Sequence, residues 1–189
     1  MRYFPSFLSA ERADRLLAVL KDGAPWEREA PLMFGKRVTV RRQTCSFGEP
    51  GLVYRYSGVE RPAHPWPDEV RALRDLLDER PDYVLCNLYE DGSVGLGWHS
   101  DDESDLVRDA TIFSVSLGVE RDFSLRLRAS QSAGAVEKLT LRLAHGSLLT
   151  MEGATQRYYQ HCVPPRKRVS GLRINLTFRS MARPLATRR

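Results

Sequence analysis

A chain of 189 residues with 42% hydrophobic and 28% charged residues is long enough to bury the core of one soluble globular domain. It lacks the run of roughly 18 apolar residues that a membrane helix needs, and its early charges exclude a typical secretory signal. We therefore expect a monomer that binds no membrane and acts in the cytoplasm, or in the nucleus of a eukaryotic cell. The net charge of +5 favours anionic partners without identifying them.

The first 80 residues predict two helices with hairpins and turns between them. Ser9 suits the N-cap of a helix that runs to about Asp22 and ends at Gly23. The apolar stripe of this helix consists of Ala13, Leu16, Leu17 and Leu20. A second helix is expected from about Pro67 to Arg80, with one apolar face made of Val70, Leu73, Leu76 and Leu77.

The character of the sequence changes after Pro81, where short segments rich in alternating apolar and polar residues follow one another. These segments are residues 83–89, 111–118, 123–128, 135–143, 146–151 and 171–179. Their spacing predicts a sandwich or barrel, so the expected fold class is mostly β with flanking helices (α+β). We expect one domain over residues 1–182, with a helical and hairpin part at about 1–80 and a β core at about 81–182, followed by a basic tail at 183–189.

The cysteines Cys45, Cys86 and Cys162 are odd in number, far apart, and form no C-x-x-C pair. This arrangement predicts reduced, structural thiols and excludes a zinc ribbon.

Three residues are candidates for a metal site. His99 and Asp101 are two positions apart in W-H-S-D-D-E, and at the end of a strand this spacing turns both side chains to one face. The third candidate, His161, lies in Y-Y-Q-H-C-V-P between two strand-like segments. Two histidines and one carboxylate form the facial triad that binds non-haem Fe(II) and leaves coordination positions open. The alternative is a capped turn with a surface histidine.

Two further histidines are not expected to bind a metal. His64 lies in a proline-rich segment that predicts a surface connection, and His145 precedes a strand that begins with glycine. Trp98 should point away from His99 and into the core, because neighbouring side chains in a strand face opposite sides.

The segment R-I-N-L-T-F-R predicts a strand with a polar face and an apolar face. Its alternation places one set of side chains together: Arg173, Asn175, Thr177 and Arg179. Two arginines that point into a β core require anionic partners, and a small dicarboxylate would serve. Asn87 and Tyr89 could add an amide and a hydroxyl from a neighbouring strand. The alternative is an edge strand whose arginines are solvated.

These motifs taken together resemble those of the AlkB family of Fe(II)- and 2-oxoglutarate-dependent dioxygenases. The resemblance rests on N-L-Y-x-D-G, G-W-H-S-D-D-E, S-V-S-L-G, H-C-V-P and R-I-N-L-T-F-R, and it covers roughly residues 30–180. It implies a jelly-roll core, and Fe(II), 2-oxoglutarate and O2 as cofactors and co-substrates. Within the family, the chain is most similar to members that repair double-stranded DNA, which share an F-G-K hairpin.

The resemblance implies roles for individual residues. The iron ligands would be His99, Asp101 and His161. The 2-oxoglutarate site would be formed by Asn87, Tyr89, Ser114, Arg173, Asn175 and Arg179. Residues for the substrate would be Phe34, Gly35, Lys36, Arg41, Arg42, Tyr54, Tyr56, Asp102 and Glu103.

Within the substrate set, Phe34 matches a wedge that enters the duplex, and the cations that follow it in sequence match contacts with the DNA backbone. Tyr54 and Tyr56 would shape a base pocket, with one ring stacking a base against His99. Asp102 and Glu103 would contact the exocyclic amine of the base. The alternative for the three aromatic residues is an ordinary place in the core.

The function that the resemblance implies is oxidative demethylation of DNA with N-alkylated bases, namely N1-methyladenine and N3-methylcytosine. The base would be flipped out of the duplex, hydroxylated on its methyl group, and released from the adduct as formaldehyde leaves. Two alternatives stay open at this stage. The chain could be an RNA demethylase or a protein oxygenase of the same superfamily, or a non-catalytic jelly-roll binding module.

Overall fold

The computed structural model describes residues 1–28, 30, 32–33, 36–37, 39–56, 58–128 and 138–182, with the backbone alone at 32–33 and 36–37. The helices are α1 (Ala10–Gly23), α2 (Asp68–Arg74) and α3 (Thr155–Tyr158). The first strands are β1 (Arg2–Phe4), β2 (Glu27–Arg28), β3 (Leu32–Met33), β4 (Lys36–Arg37), β5 (Gln43–Gly48), β6 (Val53–Tyr56) and β7 (Val59–Pro62). The later strands are β8 (Tyr83–Tyr89), β9 (Leu96–His99), β10 (Ile112–Gly118), β11 (Arg121–Leu127), β12 (Lys138–Leu143), β13 (Ser147–Met151), β14 (Tyr159–Val163) and β15 (Arg173–Arg179).

Two antiparallel sheets form the core, as expected for a jelly roll. The larger sheet has the order β1-β13-β10-β15-β8-β5-β2, and the smaller sheet has the order β12-β11-β14-β9. The prediction of a mostly β fold with a jelly-roll core is confirmed. Strands β1, β2 and β5 come from the first 80 residues, so the helical front of the chain also extends the larger sheet.

Strand β15 lies in the middle of the larger sheet, between β10 and β8, rather than at an edge. Its apolar residues Ile174, Leu176 and Phe178 pack with the helices in one hydrophobic cluster. The polar residues of the opposite face are also buried. The predicted alternation is therefore correct, and solvated arginines on an edge strand are excluded.

Helix α1 agrees with its prediction, and α2 is shorter than predicted. The hydroxyl of Ser9 accepts the backbone N–H of Arg12 (3.3 Å) and caps α1. Helix α2 ends at Arg74 because the next residues form tighter i→i+3 turns, in which the N–H of Leu76 donates to the carbonyl of Leu73 (3.1 Å). These turns rotate Leu76 outward, and its 46% exposure contradicts its predicted place on the buried face.

The three cysteines are free and buried, which confirms the prediction of reduced thiols. Cys45 of β5 lies opposite Cys86 of β8, and burial raises the pKa of the Cys86 thiol well above its usual value. Neutral buried thiols are poor nucleophiles, so these side chains serve packing. None of the helices described is both long and apolar enough to cross a membrane.

Contrary to the prediction, Trp98 does not point into the core. It is half-buried on the outer face of the smaller sheet, where the guanidinium carbon of Arg126 lies 4.3 Å from the centre of its ring. The two histidines rejected as ligands lie elsewhere: His64 is exposed, and Nδ1 of His145 accepts the N–H of Gly118 (2.8 Å).

Candidate metal centre and active site

Strands β9 and β14 bring two of the candidate ligands together. They pair antiparallel with His99 opposite His161, and Asp101 follows two residues after the end of β9. One ligand atom from each of the three side chains lies within 4.8 Å of the others. His161 lies inside β14 and not between strands as predicted. The sequence could not indicate this, because Y-Q-H-C-V lacks a clear alternation.

Each ligand is oriented by a hydrogen bond or a packing contact. Nδ1 of His99 donates to the carbonyl of Gly97 (2.8 Å), which leaves Nε2 facing Oδ1 of Asp101 at 3.8 Å. The other carboxylate oxygen of Asp101 accepts from Arg179 (2.9 Å). The ring of His161 stacks on Phe123, with centroids 5.1 Å apart. The result is a preformed set of three ligand atoms that lie close together.

The electrostatics of the site keep the ligands in the forms that bind a metal. Burial opposes ionisation of Asp101, but Arg179 and the two histidines outweigh it and bring the pKa of this carboxyl to about 2. Burial, together with His99, lowers the pKa of His161 to about 3. At neutral pH, Asp101 is therefore a carboxylate and His161 a neutral imidazole.

In the metal-free chain, stability should fall as the pH falls below about 6.5, the value for histidine in an unfolded chain. The pKa of His161 is about 3 in the folded chain, so the unfolded chain takes up this proton first. Each pH unit between these two values should lower the free energy of unfolding by at most about 1.4 kcal/mol. Asp101, with a pKa of about 2, adds a further loss only below about pH 4.

Urea denaturation of chelator-treated protein between about pH 7 and pH 5 would measure this dependence. A His161→Gln variant should show a flatter profile, whereas a His64→Gln variant should keep the wild-type profile because His64 is exposed. A wild-type profile no steeper than that of His161→Gln would contradict the expectation.

The triad opens into a cavity whose wall includes Asn87, Tyr89, Ser114 and Asn175. These residues come from three neighbouring strands, because β15 pairs with β8 on one side and with β10 on the other. The amide of Asn175 donates to the hydroxyl of Ser114 (2.9 Å) and to the carbonyl of Val115 (2.9 Å). Five of the predicted 2-oxoglutarate residues therefore line this cavity, whereas Arg173, on the same strand β15, is not among its lining residues.

The two arginines of β15 are bonded differently. Arg179 donates to Asp101 and to the carbonyl of Thr177 (3.1 Å), and its Nε has no partner in the described part of the chain. Arg173 donates from one nitrogen to the hydroxyl of Ser116 (2.9 Å), while its Nε and Nη1 are buried with no partner among the same residues. The guanidinium carbon of Arg173 lies 5.2 Å from the centre of the Tyr89 ring.

This donor arrangement fits both implied groups. Burial lowers the pKa of Arg173, and two of its buried nitrogens have no partner among the residues described. Two free N–H groups on one planar guanidinium match a carboxylate, as in 2-oxoglutarate. Two imidazoles and a carboxylate match Fe(II). Arg179 orients the ligand Asp101, whereas Arg173 is left to receive an anion.

The aromatic pair expected at the base pocket lies beside the triad. The ring centre of Tyr56 is 6.2 Å from that of His99, at a tilt of 50°. Tyr54 stacks on Tyr56 at 6.4 Å but is fully buried, and burial raises the pKa of its hydroxyl, which bonds to Glu103. Tyr56 is thus at the mouth of the site, and Tyr54 supports it from the core.

The two acids that follow Asp101 differ in their exposure and in their partners. Asp102 is exposed and paired with Arg128, while Glu103 is half-buried and one of its oxygens has no partner. Burial, together with the charge of Asp101, raises the pKa of Glu103. Glu103 is therefore the acid with free hydrogen-bonding capacity beside the triad.

The residues expected to contact DNA are not equally placed. Arg41 is exposed but bonds to Asp91 (3.3 Å) and Ser93 (2.7 Å). Arg42, directly before β5, is 7% exposed and lines the cavity of the triad, so its predicted contact with the DNA backbone stays a prediction. Strands β3 and β4 pair as a hairpin with Met33 opposite Lys36, while Phe34 and Gly35 lie outside the described residues.

Sequence reasoning missed several residues of the site. The side-chain oxygen of Gln156 accepts the backbone N–H of Asp101 (3.0 Å), and Phe123 stacks on His161. Arg121, at the start of β11, is buried near Tyr89. Each acts through a long-range contact that no local spacing reveals. The sequence offers one signal, a charged residue, Arg121, two positions before the predicted strand segment that begins at Phe123.

Comparison with known proteins shows the family to which this chain belongs. A model described as the 2OG-Fe(II) oxygenase superfamily matches residues 1–179. The chain is 40% identical over 156 residues to DNA oxidative demethylase ALKBH2 of Mus musculus, which covers 79% of this chain and 65% of that protein. It is 34% identical over 187 residues to alpha-ketoglutarate-dependent dioxygenase alkB homolog 3 of Homo sapiens, covering 94% of this chain and 65% of that protein.

The chain thus spans about two thirds of the length of these curated relatives. A solved structure titled "The structure of OsALKBH1" shares its fold with a TM-score of 0.59, at 22% identity, over 95% of this chain and 97% of that one.

Proposed function

This chain belongs to the 2OG-Fe(II) oxygenase superfamily and, within it, to the AlkB family, and from that premise we propose that it is an oxidative demethylase of N-alkylated bases in DNA. The observation that carries the proposal is a His-Asp-His triad in a cavity that the buried strand β15 also lines, while Arg173 of this strand has no anionic partner among the residues described. When bound, Fe(II) and 2-oxoglutarate supply the oxidising power that hydroxylates an N-methyl group with O2. The names of the relatives add DNA as the substrate class.

The residues of the chain would hold these groups in place. His99, Asp101 and His161 would bind Fe(II), with Arg179 fixing one carboxylate oxygen of Asp101. Arg173 would bind the carboxylate of 2-oxoglutarate that lies away from the metal. The buried wall around Asn87 and Asn175 would exclude water from the reacting groups.

The mouth of the cavity suits a flipped base. Tyr56 and His99 present their rings side by side, and the family resemblance implies that a flipped base stacks there, which would require the Tyr56 ring to move away from His99. N1-methyladenine and N3-methylcytosine are cationic, so a half-buried carboxylate at Glu103 would attract them and accept a hydrogen bond from the exocyclic amine. Asp102 would reach the base only by leaving Arg128.

A polyanionic partner agrees with the exposed charges. Arg166, Lys167 and Arg168 form a run of exposed cations after β14, and one of them, Arg166, bonds to Asp122 (2.7 Å). Cations that meet phosphates release counterions, so binding to DNA should weaken steeply as the salt concentration rises.

The proposal is tested by the turnover of 2-oxoglutarate with oligonucleotides that carry one defined methylated base. Stoichiometric succinate, formaldehyde and unmodified base from methylated DNA would support it. Preference for methylated RNA, or for a protein, would assign another substrate within the superfamily. Absence of succinate with every substrate, despite bound Fe(II), would indicate a non-catalytic binding module.

We expect Phe34→Ala to separate duplex from single-stranded substrate. A wedge that fills the vacated stack offsets part of the few kcal/mol that base flipping costs, so its loss should lower kcat/KM on methylated duplex by about tenfold or more. Activity on the same sequence as a single strand should change by less than about twofold, since no stack has to be filled.

Phe4→Ala is the matched control, because Phe4 is an exposed aromatic residue on the edge strand β1. It should leave both activities unchanged. Equal losses on duplex and single strand in Phe34→Ala would instead assign Phe34 to the core of the hairpin.

A further inference from the structure

Arg121 is a buried cation that has no role in the function proposed above. It begins β11, only 2% of it is exposed, and Nε has no partner. Burial lowers the pKa of its guanidinium. A buried charge is costly unless its surroundings compensate it, so its place needs a physical reason.

The guanidinium of Arg121 fastens two segments of chain to the barrel. Its terminal nitrogens donate to four backbone carbonyls, those of Asp91 (3.2 Å), Gly92 (3.3 Å), Val94 (2.8 Å) and Pro164 (3.0 Å). The first three carbonyls belong to the segment that follows β8, and the last belongs to the segment that follows β14. A rigid fork of donors is suited to such a task, which an ammonium group could not perform.

The two fastened segments also contact each other closely. The N–H of Arg166 donates to the carbonyl of Gly92 (2.6 Å), and the N–H of Gly92 donates to Val169 (2.9 Å). A Cβ atom added at Gly92 would lie 2.1 Å from the carbonyl oxygen of Arg166, so only glycine permits this approach. We call these two segments, joined by backbone hydrogen bonds, the clasp (residues 91–94 and 164–169).

Arg121 and Arg173 meet at one aromatic ring. Their guanidinium carbons lie 5.7 Å and 5.2 Å from the ring centre of Tyr89, which itself lines the cavity of the triad. Among the residues described, no carboxylate forms an ion pair with either guanidinium, and the charge of Arg121 contributes to the lowered pKa of Arg173. Two buried positive charges therefore lie beside the Tyr89 ring, and three of their guanidinium nitrogens have no partner among the residues described.

We propose that Arg121 is a positioning residue for 2-oxoglutarate: it supplies the second positive charge that selects a distal carboxylate, and it holds the clasp closed behind that carboxylate. The inference rests on the proposed function, since it concerns the same cavity. An arriving carboxylate would relieve the repulsion between the two guanidinium groups and so strengthen the hold of Arg121 on the clasp. A keto acid without the distal carboxylate would neither relieve this repulsion nor strengthen the contacts of Arg121 with the clasp.

The test compares two ligands on the Fe(II)-loaded enzyme without oxygen, by calorimetric titration. These are 2-oxoglutarate and 2-oxopentanoate, which has the same five-carbon chain but ends in a methyl group. In Arg121→Gln, the Kd for 2-oxoglutarate should rise at least about tenfold, or about 1.4 kcal/mol. The Kd for 2-oxopentanoate should change by less than about twofold. A role limited to holding the fold would weaken both ligands by the same factor.

Arg126→Gln is the matched control, because Arg126 lies on the same strand but packs on Trp98 at the outer face. It removes the same charge and should leave the preference between the two ligands unchanged. An unchanged preference in Arg121→Gln overturns the inference alone. Failure of the wild-type enzyme to bind 2-oxoglutarate overturns both the proposed function and the inference.

A second measurement uses the wild-type enzyme and does not depend on a variant that folds. Hydrogen exchange of the clasp amides, among them those of Gly92 and Arg166, should slow when 2-oxoglutarate binds. It should not slow when 2-oxopentanoate binds at equal saturation. Equal protection by the two ligands would show that the clasp does not sense the distal carboxylate, and the inference would be wrong.

Discussion

Replacing Asp101 with asparagine should abolish demethylation and destabilise the metal-free protein at the same time. The substitution removes the anionic ligand of the triad, and loss of an outer-shell partner alone costs about 10- to 100-fold, so turnover should fall by more than about 100-fold. It also leaves the buried guanidinium of Arg179 without its ion-pair partner, 2.9 Å away. Breaking one side of a buried pair costs about 3–5 kcal/mol, and the amide recovers part of this through a neutral hydrogen bond.

Two measurements on one preparation would check this expectation: Fe(II) affinity under anaerobic conditions, and urea denaturation of the metal-free protein. Asp102→Asn is the control for both, because Asp102 directly follows Asp101 in the chain yet is exposed and paired with Arg128. Its Fe(II) affinity should stay within about twofold of wild type, and its stability within about 1 kcal/mol. Wild-type Fe(II) affinity in Asp101→Asn would remove Asp101 from the ligand set.

The parts of this molecule that could be predicted from sequence are those in which polar and apolar residues repeat at a regular short spacing. The alternation in R-I-N-L-T-F-R identifies β15 and separates its two faces, because side chains in a strand alternate by construction. The spacing of His99 and Asp101 works in the same way at the end of β9. His161 was a candidate from its residue type alone, and the family resemblance then implied it as the third ligand; no local spacing indicates it, since its position depends on the pairing of β14 with β9.

The parts that could not be predicted depend on contacts between distant residues. Nothing near Arg179 shows that it pairs with Asp101, 78 positions away, and not with a ligand. Likewise, the pairing of Asp102 with Arg128 depends on how two loops meet. Each contact distinguishes two residues that appeared equivalent in the sequence. Arg179, unlike Arg173, orients a metal ligand. Asp102, unlike Glu103, is held in an ion pair with Arg128.

Helix α2 shows a different limit. The apolar period of Val70, Leu73 and Leu77 is genuine, and all three are buried. The period cannot distinguish a continuing helix from the series of tight turns that ends α2 at Arg74, because turns of three residues keep some side chains on the same face. The exposed Leu76 is the residue at which the two geometries diverge.

Replacing Arg173 with methionine should stabilise the ligand-free protein and weaken its binding of 2-oxoglutarate. Arg173 is 1% exposed, and two of its nitrogens lack partners, so its charge burdens the ligand-free fold. Exchanging uncompensated buried charge for an apolar side chain of similar length should stabilise the ligand-free protein by about 1–3 kcal/mol. For a domain of this size, each kcal/mol corresponds to roughly 2–4 °C in Tm.

The same substitution should raise the Kd for 2-oxoglutarate at least about 100-fold, since each hydrogen bond to a charged group contributes about 1.5–3 kcal/mol. Thermal denaturation with and without 2-oxoglutarate measures both effects, because a ligand at about 100 times its Kd should stabilise the wild type by about 2.7 kcal/mol and the variant hardly at all. Arg173→Lys is the comparison: it keeps the charge, so it should bind weakly through a single contact and gain no stability. A ligand-free Arg173→Met that melts below wild type would mean that the fold itself satisfies this guanidinium, and that the anion at the end of the cavity is bound by other groups.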